Sequence, residues 1–103
     1  MEDTHEGHNA VAVITAWGEY DADTVGPLES RLAAAAATHR TVVLDTGAMT
    51  FGDSSFLNLL LKMHRITQLR IAAPQQQLQR LLRLTGADQV LDVRSTLEDA
   101  SRP

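Results

Sequence analysis

A short segment of the chain, Asp53-Ser54-Ser55, combines a carboxylate with two hydroxyl side chains. It follows the apolar residues 41–44, which are typical of a strand buried in a sheet, and it precedes the strongly apolar residues 56–63, which are typical of a helix. We therefore predict the hydroxyls of Ser54 and Ser55 at a helix N-terminus. Unpaired N–H groups and the helix dipole favour negative charge there, so a hydroxyl at this position could carry a phosphate.

Two interpretations of this segment stay open on local sequence. In the first, Asp53 and Ser54 only cap the helix, which contributes about 1 kcal/mol. In the second, one hydroxyl is a phosphorylation site, because a helix N-terminus accommodates an anion that a helix interior would not. The local residues favour the capping interpretation.

Composition restricts the classes of function. The chain has 103 residues, 44% of them hydrophobic and 21% charged, with a net charge of −4 and no basic stripe, so we expect no direct binding of nucleic acid. No apolar run of about 18 residues could span a membrane, and the acidic amino terminus is unlike a secretory signal, so we expect a cytoplasmic protein without membrane contact. The lack of cysteine excludes thiolate catalysis and cysteine zinc sites, and we expect no cofactor.

Strand and helix patterns alternate along the chain, which is typical of a sheet with crossover helices. In the first half we predict a strand at 10–16, a turn at 17–21, a helix that ends near 39–40, a strand from 41 and a loop at 45–53. In the second half we predict a helix from 54, a strand at 68–74, a helix at 75–84 stopped by Gly86, a strand at 89–93, and a last helix with a capping box from Ser95 to Glu98.

Two details stay open at this level. The first helix either begins with Gly26 as its cap and Pro27 at its first position, or it begins earlier. Residues 1–9 include His5, Glu6 and His8, but no further ligands at suitable spacing, so we predict a flexible segment or an edge-strand fragment and no metal site.

Five motifs follow one another along the chain: Gly18-Glu19-Tyr20-Asp21, Val42-Val43-Leu44-Asp45, Phe51-Gly52-Asp53-Ser54-Ser55, Ala72-Ala73-Pro74 and Leu81-Leu82-Arg83-Leu84-Thr85-Gly86. Their order and spacing make the chain resemble a STAS domain of the anti-sigma factor antagonist family. The resemblance implies an α/β fold with a mixed sheet of four to five strands and about four helices packed mainly on one face. It implies one STAS domain over residues 10–103.

The resemblance also implies a function. An anti-sigma factor that is a serine kinase would bind the unphosphorylated chain, phosphorylate Ser54, or less readily Ser55, and so release it; a serine phosphatase would reverse the step. We expect a monomer or weak homodimer. The implied partner contacts are Asp21, Asp53, Ser54, Ser55, Phe56 and Asn58.

The sequence departs from the family pattern in three ways. Phe56 and Asn58 occupy positions where the family usually has glycine, residues 55–69 are shorter than usual, and Glu2 to His5 leave little room for the family's first edge strand. These departures motivate an alternative: a STAS interaction or ligand-binding module that is never phosphorylated, with Phe56 as an apolar anchor at the mouth of the loop.

An enzyme is the third class of function. Ser54 would be the nucleophile and His64 the base, but ten positions along one helix separate them by about 15 Å, which is too far for proton transfer. We therefore expect no enzymatic activity.

Overall fold

Four strands and four α-helices alternate over residues 11–102, the part of the chain that the computed structural model describes. The predicted segment 1–9, with its possible edge strand and its histidines, lies outside the described residues. The elements are β1 (Val11–Tyr20), α1 (Val25–Thr38), β2 (Thr41–Gly52), α2 (Ser54–Ile66), β3 (Gln68–Ala72), α3 (Gln76–Thr85), a 3₁₀ turn (Ala87–Gln89), β4 (Asp92–Arg94) and α4 (Leu97–Ala100).

The four strands form one sheet in the order β1-β2-β3-β4, and every pairing among them is parallel. Leu44 of β2, for example, pairs with Ile14 of β1 on one side and with Ile71 of β3 on the other. Over the described residues the sheet is therefore parallel throughout and not mixed as expected. The predicted α/β architecture is confirmed.

The two faces of the sheet are covered unequally. Buried side chains of β2 and β3, such as Leu44 and Ile71, pack with α1, α2 and α3 in the main core. On the opposite face, Val43 and Ala72 contact Ala100 of the short α4 in a smaller cluster. The helices therefore pack mainly on one face, as predicted. Successive side chains of residues 41–44 point to opposite faces of the sheet, and both faces are covered. Every residue of this segment is therefore buried, which explains why its apolar run is uninterrupted.

β1 and β2 extend further than predicted. The turn expected at 17–21 and the loop expected at 45–53 are largely strand, since Trp17 pairs with Ala48 and Tyr20 pairs with Gly52. Parallel pairing provides hydrogen-bond partners for the backbone groups of both segments. Two register shifts, together with the positive φ of 78° at Gly18, allow the turn-forming residues to remain within the paired strands. Because β3 ends opposite Asp45, residues 17–20 and 48–52 form a two-stranded projection, which we call the ribbon.

Three smaller boundaries differ from or resolve the predictions. α1 takes the earlier start: Thr24 is its cap and Pro27 lies within the first turn, where no intrahelical donor is lost. The last helix is capped by Thr96 rather than Ser95, because the Thr96 hydroxyl accepts from the Asp99 N–H at 3.0 Å. The last strand begins at Asp92, since residue 89 belongs to the 3₁₀ turn.

Arg70 fastens the C-terminal segment to the sheet. It is a strand residue that is only 7% exposed. Its guanidinium donates hydrogen bonds to the carbonyl oxygens of Ala100, at 2.9 Å, and of Arg102. Asp92 lies 3.9 Å from its Nε and balances part of the charge. The buried cation thus satisfies the carbonyl groups at the end of α4.

Candidate functional site

Asp53 caps α2. Its Oδ1 accepts hydrogen bonds from the N–H groups of Ser55, at 2.8 Å, and Phe56, at 3.4 Å, and its carbonyl accepts from the Leu57 N–H at 3.1 Å. Its backbone is extended, as in other N-cap residues, because β2 runs directly into the helix. The capping interpretation of Asp53 therefore holds, and Ser54 becomes the first residue of the helix.

Ser54 is exposed and Ser55 is half-buried. Among residues 11–102, no hydrogen-bond partner occupies the Ser54 hydroxyl, since the cap bonds are made by Asp53. A 13-residue helix begins here, so its dipole and free N–H groups lie next to the hydroxyl. The position therefore satisfies the two requirements for a phosphorylated side chain, which are access from solvent and a local field that tolerates an anion.

Phe56 does not lie at the mouth of a loop. Its side chain is 0% exposed, and its ring stacks on Tyr20 with a centroid distance of 5.7 Å and an interplanar angle of 25°. The third position of α2 faces the core, and Gly52 leaves the space that the ring needs. The expectation that Phe56 is an exposed partner contact or apolar anchor is therefore wrong.

Asp21 lies beside Asp53 because their strands end together. The Asp53 N–H donates to the Tyr20 carbonyl at 3.2 Å, which places the turn after β1 next to the cap of α2. The Asp21 carboxylate accepts from the hydroxyl and N–H of Thr24 and from the N–H of Asp23. The hydrogen bond from the Thr24 hydroxyl is the main reason that the pKa of Asp21 is lowered, and the side chain is exposed.

The structure thus brings most of the predicted contacts to one end of the molecule. Asn58, which is exposed, follows Ser54 by one helical turn. Residues 19–24 and 51–58 meet at this end and contain four carboxylates but no Lys, Arg or His. We call this end the acidic tip. His64 lies ten positions after Ser54 on α2, so a Ser–His pair is not formed.

Two exposed aromatic residues near the tip were not identified from sequence. Trp17 was assigned to a turn and Phe51 to a loop, yet both lie on the paired strands of the ribbon. A signal was present in the alternation of residues 16–20, where Ala16 and Tyr20 are buried and Trp17 and Glu19 are exposed. The glycine at position 18 obscured it.

A family model described as "Mlab, STAS domain" matches residues 4–94. The chain therefore belongs to the STAS domain family, and the resemblance found in its motifs is confirmed. No match was found among curated proteins. In the described part of the chain, no helix is long and apolar enough to cross a membrane.

Solved structures support the same assignment. An anti-sigma factor antagonist from Mycobacterium paratuberculosis has a TM-score of 0.80 and 29% identity, covering 90% of this chain and 84% of that one. The anti-sigma factor antagonist SpoIIAA in its unphosphorylated form has a TM-score of 0.73 and 20% identity, covering 89% and 85%. The STAS domain of a SulP transporter from Vibrio cholerae has a TM-score of 0.68 and 17% identity, covering 87% and 77%. The last two similarities concern the fold alone.

Proposed function

We propose that this chain is an anti-sigma factor antagonist that acts by partner switching and has no catalytic activity of its own. The observation that carries the proposal is the exposed Ser54 hydroxyl, which follows the capping carboxylate of Asp53 at the start of α2. The similarity to an anti-sigma factor antagonist at 29% identity supports it, whereas the fold by itself serves proteins with other roles.

In the proposed cycle, a serine-kinase anti-sigma factor binds the acidic tip while Ser54 is unphosphorylated, and this releases a sigma factor. The kinase then phosphorylates Ser54 and the complex dissociates, until a serine phosphatase removes the phosphate. The cycle takes place in the cytoplasm and requires no cofactor or nucleic acid contact by this chain. The net charge of −4 agrees with a protein partner rather than a nucleic acid.

Electrostatics explains why a phosphate would act on the interface and not on the fold. The phosphate adds about −1.5 to −2 charge beside Asp53 and Asp21, and the helix N-terminus offsets only about 0.3 to 1 kcal/mol of the repulsion at an exposed site. Ser54 is at the surface, so the core stays unchanged. Against a closely packed partner surface, however, the phosphate must lose its water and needs more space than the hydroxyl, and a loss of about 1.4 kcal/mol already weakens binding tenfold.

The first prediction concerns phosphorylation. Incubation with a cognate anti-sigma factor kinase and ATP should add one phosphate to the wild-type chain and to Ser55→Ala, and none to Ser54→Ala. Intact-mass and peptide mass spectrometry measure both the number and the position. Ser55→Ala is a matched control, because it removes a neighbouring hydroxyl of the same helix turn. Phosphate only at residues other than Ser54 and Ser55, or no phosphate, would contradict the proposal.

The release step has its own measurement. Calorimetric titration should show that Ser54→Ala binds the anti-sigma factor like the wild type, while Ser54→Asp and the phosphorylated chain bind at least about tenfold more weakly. If all four forms bind equally, the alternative of a STAS interaction module without a switch is correct. That alternative has lost its first motivation, because Phe56 is buried and cannot anchor a partner.

A further inference from the structure

The ribbon has an inner face that belongs to the core and an outer face that does not. Tyr20 and Met49 are buried on the inner face with the three large helices. Trp17 lies on the outer face because side chains alternate along β1, and it is 59% exposed. On β2 the register shift passes over Thr50 and pairs Phe51 with the outward-facing Glu19, so Phe51, 45% exposed, lies on the outer face although Met49 is buried. Two large aromatic side chains are thus exposed to solvent on adjacent strands. Phe51 precedes Ser54 by three positions, and Trp17 pairs with Ala48, which precedes Ser54 by six.

Trp17 is held in place from one side. The guanidinium carbon of Arg31, on α1, lies 5.4 Å from the centroid of the indole, and Nη2 of Arg31 donates to the Thr15 carbonyl at 3.1 Å. The hydrogen bond orients the guanidinium, and the cation–π contact then favours the observed orientation of the indole. A contact residue that is already ordered loses less entropy on binding, which favours a role in recognition.

Charges around this outer face indicate what can cover it. Glu19 is directly opposite Phe51 in the register, and the strands continue to Asp21 and Asp53 at the acidic tip. In an isologous dimer centred on Trp17 and Phe51, Glu19 would lie close to the two-fold axis and therefore near its own copy, which like-charge repulsion disfavours. Arg31 is a cation beside this face, but its guanidinium is already engaged by the indole and by the Thr15 carbonyl. A surface with an apolar centre and a basic rim is complementary to both the aromatic and the acidic residues.

We propose that the outer face of the ribbon, centred on Trp17 and Phe51, is a docking surface for the anti-sigma factor, whose matching surface is apolar at its centre and basic at its rim. This inference rests on the proposed function and extends its interface from the acidic tip to the aromatic residues. Trp is among the residues that most often dominate the affinity of an interface. Ser54 then lies at the edge of the docked area, where a kinase can reach it before the complex separates.

Binding of purified serine-kinase anti-sigma factors from the source organism tests the proposal. Trp17→Ala and Phe51→Ala should each weaken binding about tenfold or more. Leu84→Ala is the matched control: it removes an exposed apolar side chain, 74% exposed, from the last turn of α3 and should bind like the wild type. Thermal unfolding of each variant verifies that all remain folded, as expected for exposed positions.

A spectroscopic measurement reads the same surface without mutation. Trp17 is the single tryptophan of the chain, so incorporation of 5-fluorotryptophan gives one ¹⁹F resonance from this position. Addition of the unlabelled anti-sigma factor should shift that resonance and reduce its H₂O/D₂O isotope shift, because the indole leaves water. The Ser54→Asp chain should show neither change at the same concentrations.

The outcomes separate the two proposals. If the complex forms but both variants bind normally and the ¹⁹F resonance stays unchanged, the docking surface is wrong and the proposed function stands. If Trp17→Ala weakens binding while Ser54→Asp does not, the docking surface stands and the switch is wrong. If no anti-sigma factor binds the wild type, both proposals fail. A wild-type dimer in sedimentation that Trp17→Ala dissociates would also overturn the inference, because it assigns the face to a second copy.

Discussion

Gly52 provides the space that the Phe56 ring fills. A Cβ atom at position 52 would lie 2.8 Å from Cδ2 of Phe56 and 3.1 Å from Cε of Met49, both closer than van der Waals contact. The φ of Gly52 is not positive, so its role is one of space and not of backbone conformation. A large aromatic residue can therefore lie two residues after Ser54 and leave the hydroxyl exposed.

This contact predicts the effect of Gly52→Ala. The new methyl group should overpack the ring and lower the free energy of unfolding by about 1–3 kcal/mol. Urea denaturation measures the change. Gly26→Ala is the control: nothing lies within 4 Å of a Cβ at this helical position, so stability should stay constant or rise by up to about 1 kcal/mol. Equal stability of Gly52→Ala and wild type would show that the ring does not depend on this space.

Asp21 gives a prediction about pH. Its pKa is lowered below the ordinary 3.8, first by the Thr24 hydroxyl and further by the backbone N–H groups of residues 23 and 24. The stabilisation is therefore fully present above pH 3.8 and is lost as pH falls through the lowered pKa. Asp21 thus stays ionised at neutral pH.

Removal of the hydroxyl tests the cause of this shift. In Thr24→Val, the pKa of Asp21 should rise towards 3.8, as measured by NMR titration of the side-chain carboxyl carbon. Thr38→Val removes a hydroxyl at the other end of α1 and should leave the titration unchanged. A pKa of Asp21 at or above 3.8 in the wild type would contradict the hydrogen-bond geometry.

Among the elements, α4 is too short to be stable on its own. It has four residues, and an isolated helix of that length is unstable in water. Its attachment depends on Ala100 in the minor core cluster and on the hydrogen bonds from Arg70 to the carbonyls of Ala100 and Arg102. The buried Arg70 is therefore a positioning residue for the C-terminal segment.

Arg70→Met should detach this segment. The replacement keeps apolar volume but leaves the Ala100 carbonyl without its donor, which lowers the free energy of unfolding by about 1–3 kcal/mol. Hydrogen exchange should accelerate mainly over residues 97–102, a local effect that a general loss of stability would not give. Arg40→Met, at an exposed position, serves as the control. Unchanged exchange over 97–102 would show that Arg70 does not hold α4.

For the whole molecule, sequence patterns predicted the order of elements but not the extent of β1 and β2. The apolar residues 42–44 predicted a strand covered on both faces, and all three side chains are buried. Gly86 ends α3 with a φ of 78°, as expected. The ribbon was missed because its glycines, Gly18 and Gly52, are typical of turns and loops, and only the pairing of two segments distant in sequence makes these residues strand.

The candidate site was predicted in position but not in every orientation. Asp53 and Ser54 follow from a local signal, since capping depends on adjacent residues. The burial of Phe56 depends on Tyr20 and Gly52, which belong to other elements, so no local pattern contains it. The exposure of Trp17 also depends on other elements. Which face of β1 is exposed is decided only when the helices cover the opposite face of the strand.

The sequential strand order has a consequence for how the chain acquires its shape. Each of β2, β3 and β4 pairs with the strand that precedes it in the chain, so its pairing partner has already been synthesised when it leaves the ribosome. The ribbon and the start of α2 are complete once Ile66 has emerged. The proposed docking surface is therefore complete before β3 and β4 are added to the sheet.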